Sequence, residues 1–309
     1  MIELIDFTKR YGGFTAVEQL NLKIEPGELF GFIGPNGAGK STTIRFLVTL
    51  LRATSGEGRV NGFSVARRPM DVRRSIGYMP DVFGVYDGMK VWEFLDFFAA
   101  AYQIPAIRRR KIIADVMELL DLGGKRDEYV NGLSRGMTQR LCLAKTLVHD
   151  PPVLILDEPT SGLDPRARLE VKALLRELSR MGKTILIASH ILTELADCCT
   201  SIGILERGKL LMHGPIDDVY RRIRRNRHVE IRVEPGHGER AAAVVRRRPE
   251  IIDLRIDGDR LTVEIAADDR GLADLLDQLI AEGVRCYSFS DEEPTLEDVF
   301  MLVTQGAVN

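Results

Sequence analysis

Gly34-Pro35-Asn36-Gly37-Ala38-Gly39-Lys40-Ser41 places glycines, a lysine and a serine at the spacing G-x-x-x-x-G-K-[ST]. Glycines let the backbone curl tightly enough for successive N–H groups to converge on phosphate oxygens. The stretch follows the apolar run Leu29-Phe30-Gly31-Phe32-Ile33, which reads as a buried strand, and precedes Thr42 to Leu51, whose apolar spacing reads as a helix. A helix start adds unpaired N–H groups and the positive end of its dipole. In that setting Lys40 bridges the outer phosphates and the Ser41 hydroxyl ligates Mg2+. A glycine-rich turn that binds nothing has no use for Lys-Ser in this place, so the stretch reads as a nucleotide phosphate site.

A second set of reactive groups lies far downstream. Pro152-Val153-Leu154-Ile155-Leu156-Asp157-Glu158 is an apolar run ending in two carboxylates, a central parallel strand whose polar end falls where α/β sheets bind ligands. Asp157 suits a hold on Mg2+, a hard cation that takes oxygen ligands, and Glu158 suits a general base or the orientation of attacking water. His190 follows the apolar strand Thr184 to Ser189 and could reach a γ-phosphate or its attacking water; a structural histidine at a strand end is the alternative. Tyr11, on the turn Tyr11-Gly12-Gly13, could stack on an adenine ring or simply pack its loop.

These groups need a scaffold, and the rest of the chain supplies one. Residues 2–8 and 20–25 alternate like half-buried antiparallel strands, and 58–65 and 75–79 read as short strands. From Val91 the spacing of Val91, Phe94, Leu95, Phe98 and Tyr102 is helical, and Ile113, Val116, Met117 and Leu120 rebuild that face after Ile104-Pro105. The stretch from about 90 to 150 thus reads as a helical subdomain inserted in an α/β core, with Phe94, Phe97, Phe98 and Tyr102 as its aromatic cluster. A helix carries Val171, Leu174, Leu175 and Leu178, and residues 202–206 and 209–213 flank Arg207-Gly208 as a hairpin. Beyond a basic link at Arg221 to Arg227 the order is β (228–233), α (239–247), β (251–256), β (260–266), α (271–282), β (284–290), a ferredoxin-like arrangement, then a short helix 296–303.

Bulk composition narrows the class. With Lys+Arg 43 against Asp+Glu 45, net charge −2, no general basic field attracts nucleic acid. The basic triplets Arg108 to Arg110 and Arg246 to Arg248 read as solvated helix faces or as strips facing an anionic membrane. Cys142, Cys198, Cys199 and Cys286 lack C-x-x-C spacing and fit reduced, packed thiols. Met1-Ile2-Glu3-Leu4 shows no signal-peptide pattern, and no run of about 18 apolar residues occurs, so any membrane work needs a partner's spans.

Taken together, Gly34 to Ser41, Leu133-Ser134-Arg135-Gly136-Met137, Leu156 to Thr160, Ser161 to Asp164 and His190 resemble the Walker A, signature, Walker B, D-loop and switch-histidine segments of ABC transporter ATPase subunits, in order and in register over residues 1 to about 220. The tail Glu293-Pro294-Thr295-Leu296-Glu297-Asp298-Val299-Phe300 resembles the C-terminal extension of the ABC-2, or drug-resistance, branch. The resemblance implies a P-loop NTPase of α/β class: a RecA-like core with an antiparallel β subdomain over residues 1–220, followed by a small α+β ferredoxin-like module over 228–309. It implies an ATPase whose catalytic residues are Glu158, His190 and Lys40. The nucleotide is then held by Tyr11, Gly34, Pro35, Asn36, Gly37, Ala38, Gly39, Lys40, Ser41, Thr42, Asp81, Ser134 and Gly136, and Mg2+ by Ser41, Asp81 and Asp157. Two copies sandwich two ATP head to tail, each phosphate loop facing the other copy's Ser134 and Gly136, donors suited to a γ-phosphate.

Two segments depart from the family pattern. Asp81 stands where a glutamine is usual, which adds a carboxylate beside the γ-phosphate. Arg135 and Met137 replace the Gly and Gln of Leu-Ser-Gly-Gly-Gln, keeping the Ser134 hydroxyl and the Gly136 backbone. The leading expectation is a cytoplasmic exporter ATPase on the inner face of the membrane, held by a separately encoded ABC-2-type permease that docks near Asp81 to Tyr102, with no nucleic-acid partner. A non-transport ABC ATPase would call for two ATPase halves or a long coiled coil, and this chain has neither. A low-turnover ATP switch is the other alternative, favoured by Asp81 and Met137.

Overall fold

Apolar runs without alternation become the middle of a sheet buried on both faces. The computed structural model describes residues 1–309 except 83, 85, 87, 192–194, 196, 224–226, 293–299 and 301–309, with the side chains of 221–223 and 292 also outside the description. The chain forms two compact units, Met1–Ile216 and the portion from Asp217 onward.

In the first unit, β1 (Ile2–Tyr11), β2 (Phe14–Ile24), β4 (Ser55–Val60) and β5 (Phe63–Ser64) make an antiparallel sheet in the order β2-β1-β4-β5. A six-stranded sheet combines β3 (Leu29–Ile33), β6 (Ile76–Met79), β7 (Val153–Asp157), β8 (Thr184–Ser189), β9 (Ser201–Glu206) and β10 (Lys209–Pro215) in the order β10-β9-β3-β8-β7-β6, parallel except for β10. Every residue of β3, β7 and β8 is buried. Helix α1 (Lys40–Leu47) shares one core with both sheets: Ile44, Phe46 and Leu47 pack with Ile2, Leu4 and Phe7 and with Phe30, Phe32 and Ile155. The Phe7 and Phe46 rings stack at 4.2 Å. Helices α2 (Pro69–Ser75), α3 (Val91–Ala101), α4 (Ala106–Leu119), α5 (Arg135–Leu147) and α6 (Pro165–Arg180) complete the unit.

Several boundaries differ from the sequence expectation, each for a local reason. The expected strand 58–65 is two strands, because Asn61 (φ 51°) and Gly62 (φ 78°) both take the left-handed conformation of a two-residue hairpin turn. The strands expected at 2–8 and 20–25 run on to Tyr11 and begin at Phe14. Bulges at Asp6 (φ 48°) and Gln19 (φ 45°) interrupt the alternation that marks a strand. The helix expected to run to Leu51 stops at Leu47, with Thr49 at φ 66°. Helix α2 is additional to the elements expected from sequence, although Pro69 at its first turn is a start signal.

The second unit pairs β11 (Arg227–Val233), β12 (Ile251–Asp257), β13 (Arg260–Ile265) and β14 (Cys286–Glu292) in the order β12-β13-β11-β14, all antiparallel. Helices Gly238–Val245 and Asp269–Ala281 cover it, burying Ala241, Val245, Leu275 and Leu279 against Val229, Ile231 and Val263. That strand order is the ferredoxin-like one expected from β-α-β-β-α-β. The expected helix 296–303 and the tail from Glu293, Phe300 apart, lie outside the described residues.

Candidate functional site

Strand β3 delivers the chain to a loop that only glycine can form. A Cβ on Gly34 would fall 2.2 Å from the Leu205 carbonyl oxygen of β9. Gly37 (φ 83°) and Gly39 (φ 107°) are left-handed, and a Cβ on Gly39 would meet the Ala16 carbonyl at 2.8 Å. One hairpin turn stitches this loop to the antiparallel sheet: Gly208 N–H donates to the Ala38 carbonyl at 2.9 Å, and Glu18 N–H donates to the Gly208 carbonyl at 2.9 Å. Helix α1 closes its first turn with Thr43 N–H on the Gly39 carbonyl, so the N–H groups of Lys40, Ser41 and Thr42 precede that bond, the unpaired donors of a helix start. The Lys40 ammonium donates to the carbonyls of Gly34 and of Pro35 (3.2 Å), lying over the loop. Burial pulls the Lys40 pKa down, while the charges of Glu158 and Asp157 act in the opposite direction.

Strand β7 ends in this neighbourhood. Burial pushes the Asp157 carboxyl up from the usual carboxylate range; a hydrogen bond from Ser41 opposes the shift, and the negative charges of Asp81 and Glu158 reinforce it. Glu158 follows in the left-handed conformation (φ 52°), with its N–H donating to the Ala188 carbonyl at 2.9 Å. Three donors hold its carboxylate: His190 N–H (2.9 Å) and His190 Nδ1 (2.7 Å) on Oε1, and the Ser189 hydroxyl (3.2 Å) on Oε2. Hydrogen bonding from Nδ1 to a carboxylate puts a proton on Nδ1. Lys40, Ser41, Asp81, Asp157, Glu158 and His190, scattered across 150 positions of sequence, thus converge at the edge where β3, β6, β7 and β8 end.

Other expected residues stand apart. Ser134 caps α5, its hydroxyl accepting from Met137 N–H at 3.4 Å, and Gly136 faces Leu163. Among the described residues neither Ser134 nor Gly136 hydrogen-bonds to the phosphate loop. Tyr11 ends β1 46 % exposed, with the Lys9 ammonium 4.9 Å above its ring. The expected aromatic cluster divides: Phe94 is core, while Phe97 and Tyr102 are exposed and Tyr86 joins them, edge-on to Phe97 at 5.6 Å.

Two contributors escaped the sequence reading. Ser189 is an ordinary strand-end serine until its bond to Glu158 is seen. Gln139 donates to the Glu158 carbonyl (3.4 Å) and to the Pro159 carbonyl, fixing the backbone after Asp157. Its signal was a polar side chain in the buried helical stripe Gln139, Leu143, Thr146 and Leu147.

Chemically, the site combines N–H donors, an ammonium and a hydroxyl with carboxylates, the complement of a polyphosphate accompanied by a cation. Residues 17–161 match the ABC transporter family, and residues 214–304 match the C-terminal domain of DrrA1-3-like ATP-binding proteins. The bacitracin transport ATP-binding protein BcrA of Bacillus licheniformis is 33 % identical over 99 % of this chain and 98 % of its own length. The linearmycin resistance ATP-binding protein LnrL of Bacillus subtilis is 29 % identical over 98 % of each chain. The dimeric structure of MJ0796, a bacterial ABC transporter cassette, aligns with a TM-score of 0.65 and 26 % identity over 70 % of this chain and 99 % of its own.

Proposed function

The chain belongs to the ABC transporter family as an ATP-binding, ATP-hydrolysing exporter subunit, and from that premise we propose how its residues divide the work. Two copies clasp two ATP head to tail, Gly34 to Thr42 holding the phosphates, Tyr11 the adenine, and the other copy's Ser134 and Gly136 the γ-phosphate. Glu158 takes the proton of the attacking water as the γ-phosphoryl moves from ADP to that water, and His190 holds Glu158 and the γ-phosphate in register. Lys40 stabilises charge on the outer phosphates.

The donor set fits Mg2+: a hydroxyl, Ser41, bonded to a carboxylate, Asp157, whose burial disfavours a bare negative charge, with Asp81 adding to the local field. No group of three or more His, Cys, Asp or Glu able to hold a metal ion occurs among the described residues, so the cation would be held jointly with phosphate oxygens. It would supply neutralisation of charge across the β- and γ-phosphates.

A separately encoded ABC-2-type permease is the membrane partner, and the chain works on the cytoplasmic face. In support, no described helix is long and apolar enough to cross a membrane, and BcrA and LnrL carry transport and resistance names. The docking face is the exposed surface of Val82, Tyr86 and Phe97, beside Asp81. Asp87, within the expected docking stretch Asp81 to Tyr102, lies outside the described residues.

The observation that carries this reading is the Glu158 carboxylate, one residue beyond the Asp157 that Ser41 bonds and held by His190 and Ser189. With Glu158→Gln, phosphate release should fall to background while saturating Mg-ATP converts the protein to a dimer on size exclusion with light scattering. A Glu158→Gln protein that stays monomeric under saturating Mg-ATP overturns the clasp. Asp81 beside Asp157, and Met137 in the signature, favour a low-turnover switch as the second reading. Equal, near-background rates in wild type and Glu158→Gln would select it.

A further inference from the structure

The guanidinium of Arg135 occupies the space where any other residue at Gly162 would put its side chain. A Cβ on Gly162 would lie 2.5 Å from Cζ, 2.6 Å from Nε and 2.8 Å from Nη2 of Arg135, so the planar group lies flat against the Gly162 backbone. Gly162 is also left-handed, at φ 74°. Arg135 is exposed, and among the described residues no carboxylate forms an ion pair with it, so charge pairing does not explain its place.

Two further contacts join the same surfaces. Gln139, four residues on and hence on the same face of α5, donates to the Glu158 and Pro159 carbonyls. Gly136 lies between them against Leu163, whose Cδ2 would sit 3.4 Å from a Cβ at that glycine. The first turns of α5 therefore grip the segment 158–163 at its start and at its end. That segment begins with the left-handed Glu158, and a non-glycine residue keeps such a conformation only where its surroundings impose it.

We propose that Arg135 is a positioning residue for ATP hydrolysis: by lying on Gly162 it fixes the Ser161-to-Asp164 turn to α5, and through that turn holds Glu158 in line for water. This rests on the assignment of Glu158 to the attacking water. A lysine has a flexible stem and a point charge, without the planar fork that lies flat on a glycine. Charge alone at position 135 is therefore insufficient.

The test is steady-state phosphate release by full-length protein with Arg135→Ala, Arg135→Lys, Gly162→Ala and the Arg135→Ala/Gly162→Ala pair, with Glu158→Gln as background. Arg135→Ala and Arg135→Lys should lower kcat about tenfold with KM for ATP within twofold, and thermal melts should match wild type because the side chain is exposed. Gly162→Ala should also lower kcat, and the pair should be no worse than the poorer single variant, since both break one contact. Wild-type kcat in Arg135→Ala, full recovery in Arg135→Lys, a change confined to KM, or multiplied losses in the pair would each overturn the proposal while leaving the hydrolysis reading intact. Wild-type release no faster than Glu158→Gln would overturn both.

Discussion

Glu158 and His149 show how far one side chain reaches beyond its own position. Glu158 became legible from sequence because it sits next to Asp157 at the end of an apolar strand. Its donors Ser189, His190 and Gln139 come from two other elements, and no local pattern announces such pairings. His149 was not singled out at all. Its ring stacks on Tyr102 at 3.6 Å and its Nε2 bonds the Ile76 carbonyl at 2.9 Å, while its buried Nδ1 has no partner. Burial lowers its pKa to about 4 from 6.5, because a proton on Nδ1 would add an unsatisfied donor and a charge. Between those values the unfolded chain binds the proton and the fold refuses it, so stability from this group is complete above about pH 6.5 and is lost as pH falls towards 4. Urea unfolding should show wild type losing up to about 3 kcal/mol more than His149→Phe between pH 7.5 and pH 4. Parallel pH profiles for the two proteins would refute this.

At the level of elements, legibility followed burial. Strands β3, β7 and β8 are buried throughout and apolar between their ends, and their expected ends fall within a residue of the observed ones, whereas β1 and β2 carry bulges that break the two-residue period. The phosphate loop was readable because its chemistry is contiguous, but its packing was not: nothing near Gly34 in sequence says that the Leu205 carbonyl lies beneath it. Gly34→Ala drives a methyl into backbone on a central strand, so the melting temperature should drop by roughly 5 °C or more, with weakened ATP binding. An unchanged melt would mean that β9 yields freely at Leu205. Helix α3 offers a test of the opposite kind. Phe97 is exposed and outside the core, so Phe97→Glu should leave ATP binding and the melt unchanged while reducing co-purification of the permease severalfold. Undiminished pull-down would remove α3 from the docking face.

Over the whole molecule, two units each bury an apolar core of their own, one around Phe7, Phe46 and Ile155 and one around Ile231, Val263 and Leu275. The ferredoxin-like order of the second unit was legible from element succession alone, because strand–helix–strand links and a two-residue hairpin leave few ways to arrange four strands. What the second unit does was not legible, since no cluster of reactive residues marks it. We propose that it supports the dimer or contacts the permease, rather than binding cargo or regulating turnover. Removing residues 228–309 should therefore leave a folded protein that binds ATP but dimerises and hydrolyses it several times less well. A truncation that is fully dimeric and fully active would contradict that role.

The Arg207-Gly208 turn ties these scales together. Its amide and carbonyl are shared between the loop at Ala38 and the strand at Glu18, the same strand pair that ends in Tyr11. A ring stacking on Tyr11 and a phosphate chain settling on Gly37 to Ser41 would thus act through the two backbone groups of one residue, Gly208. On the proposed site, a nucleoside too short to reach the loop, or a polyphosphate lacking a base, would load only one side of Gly208.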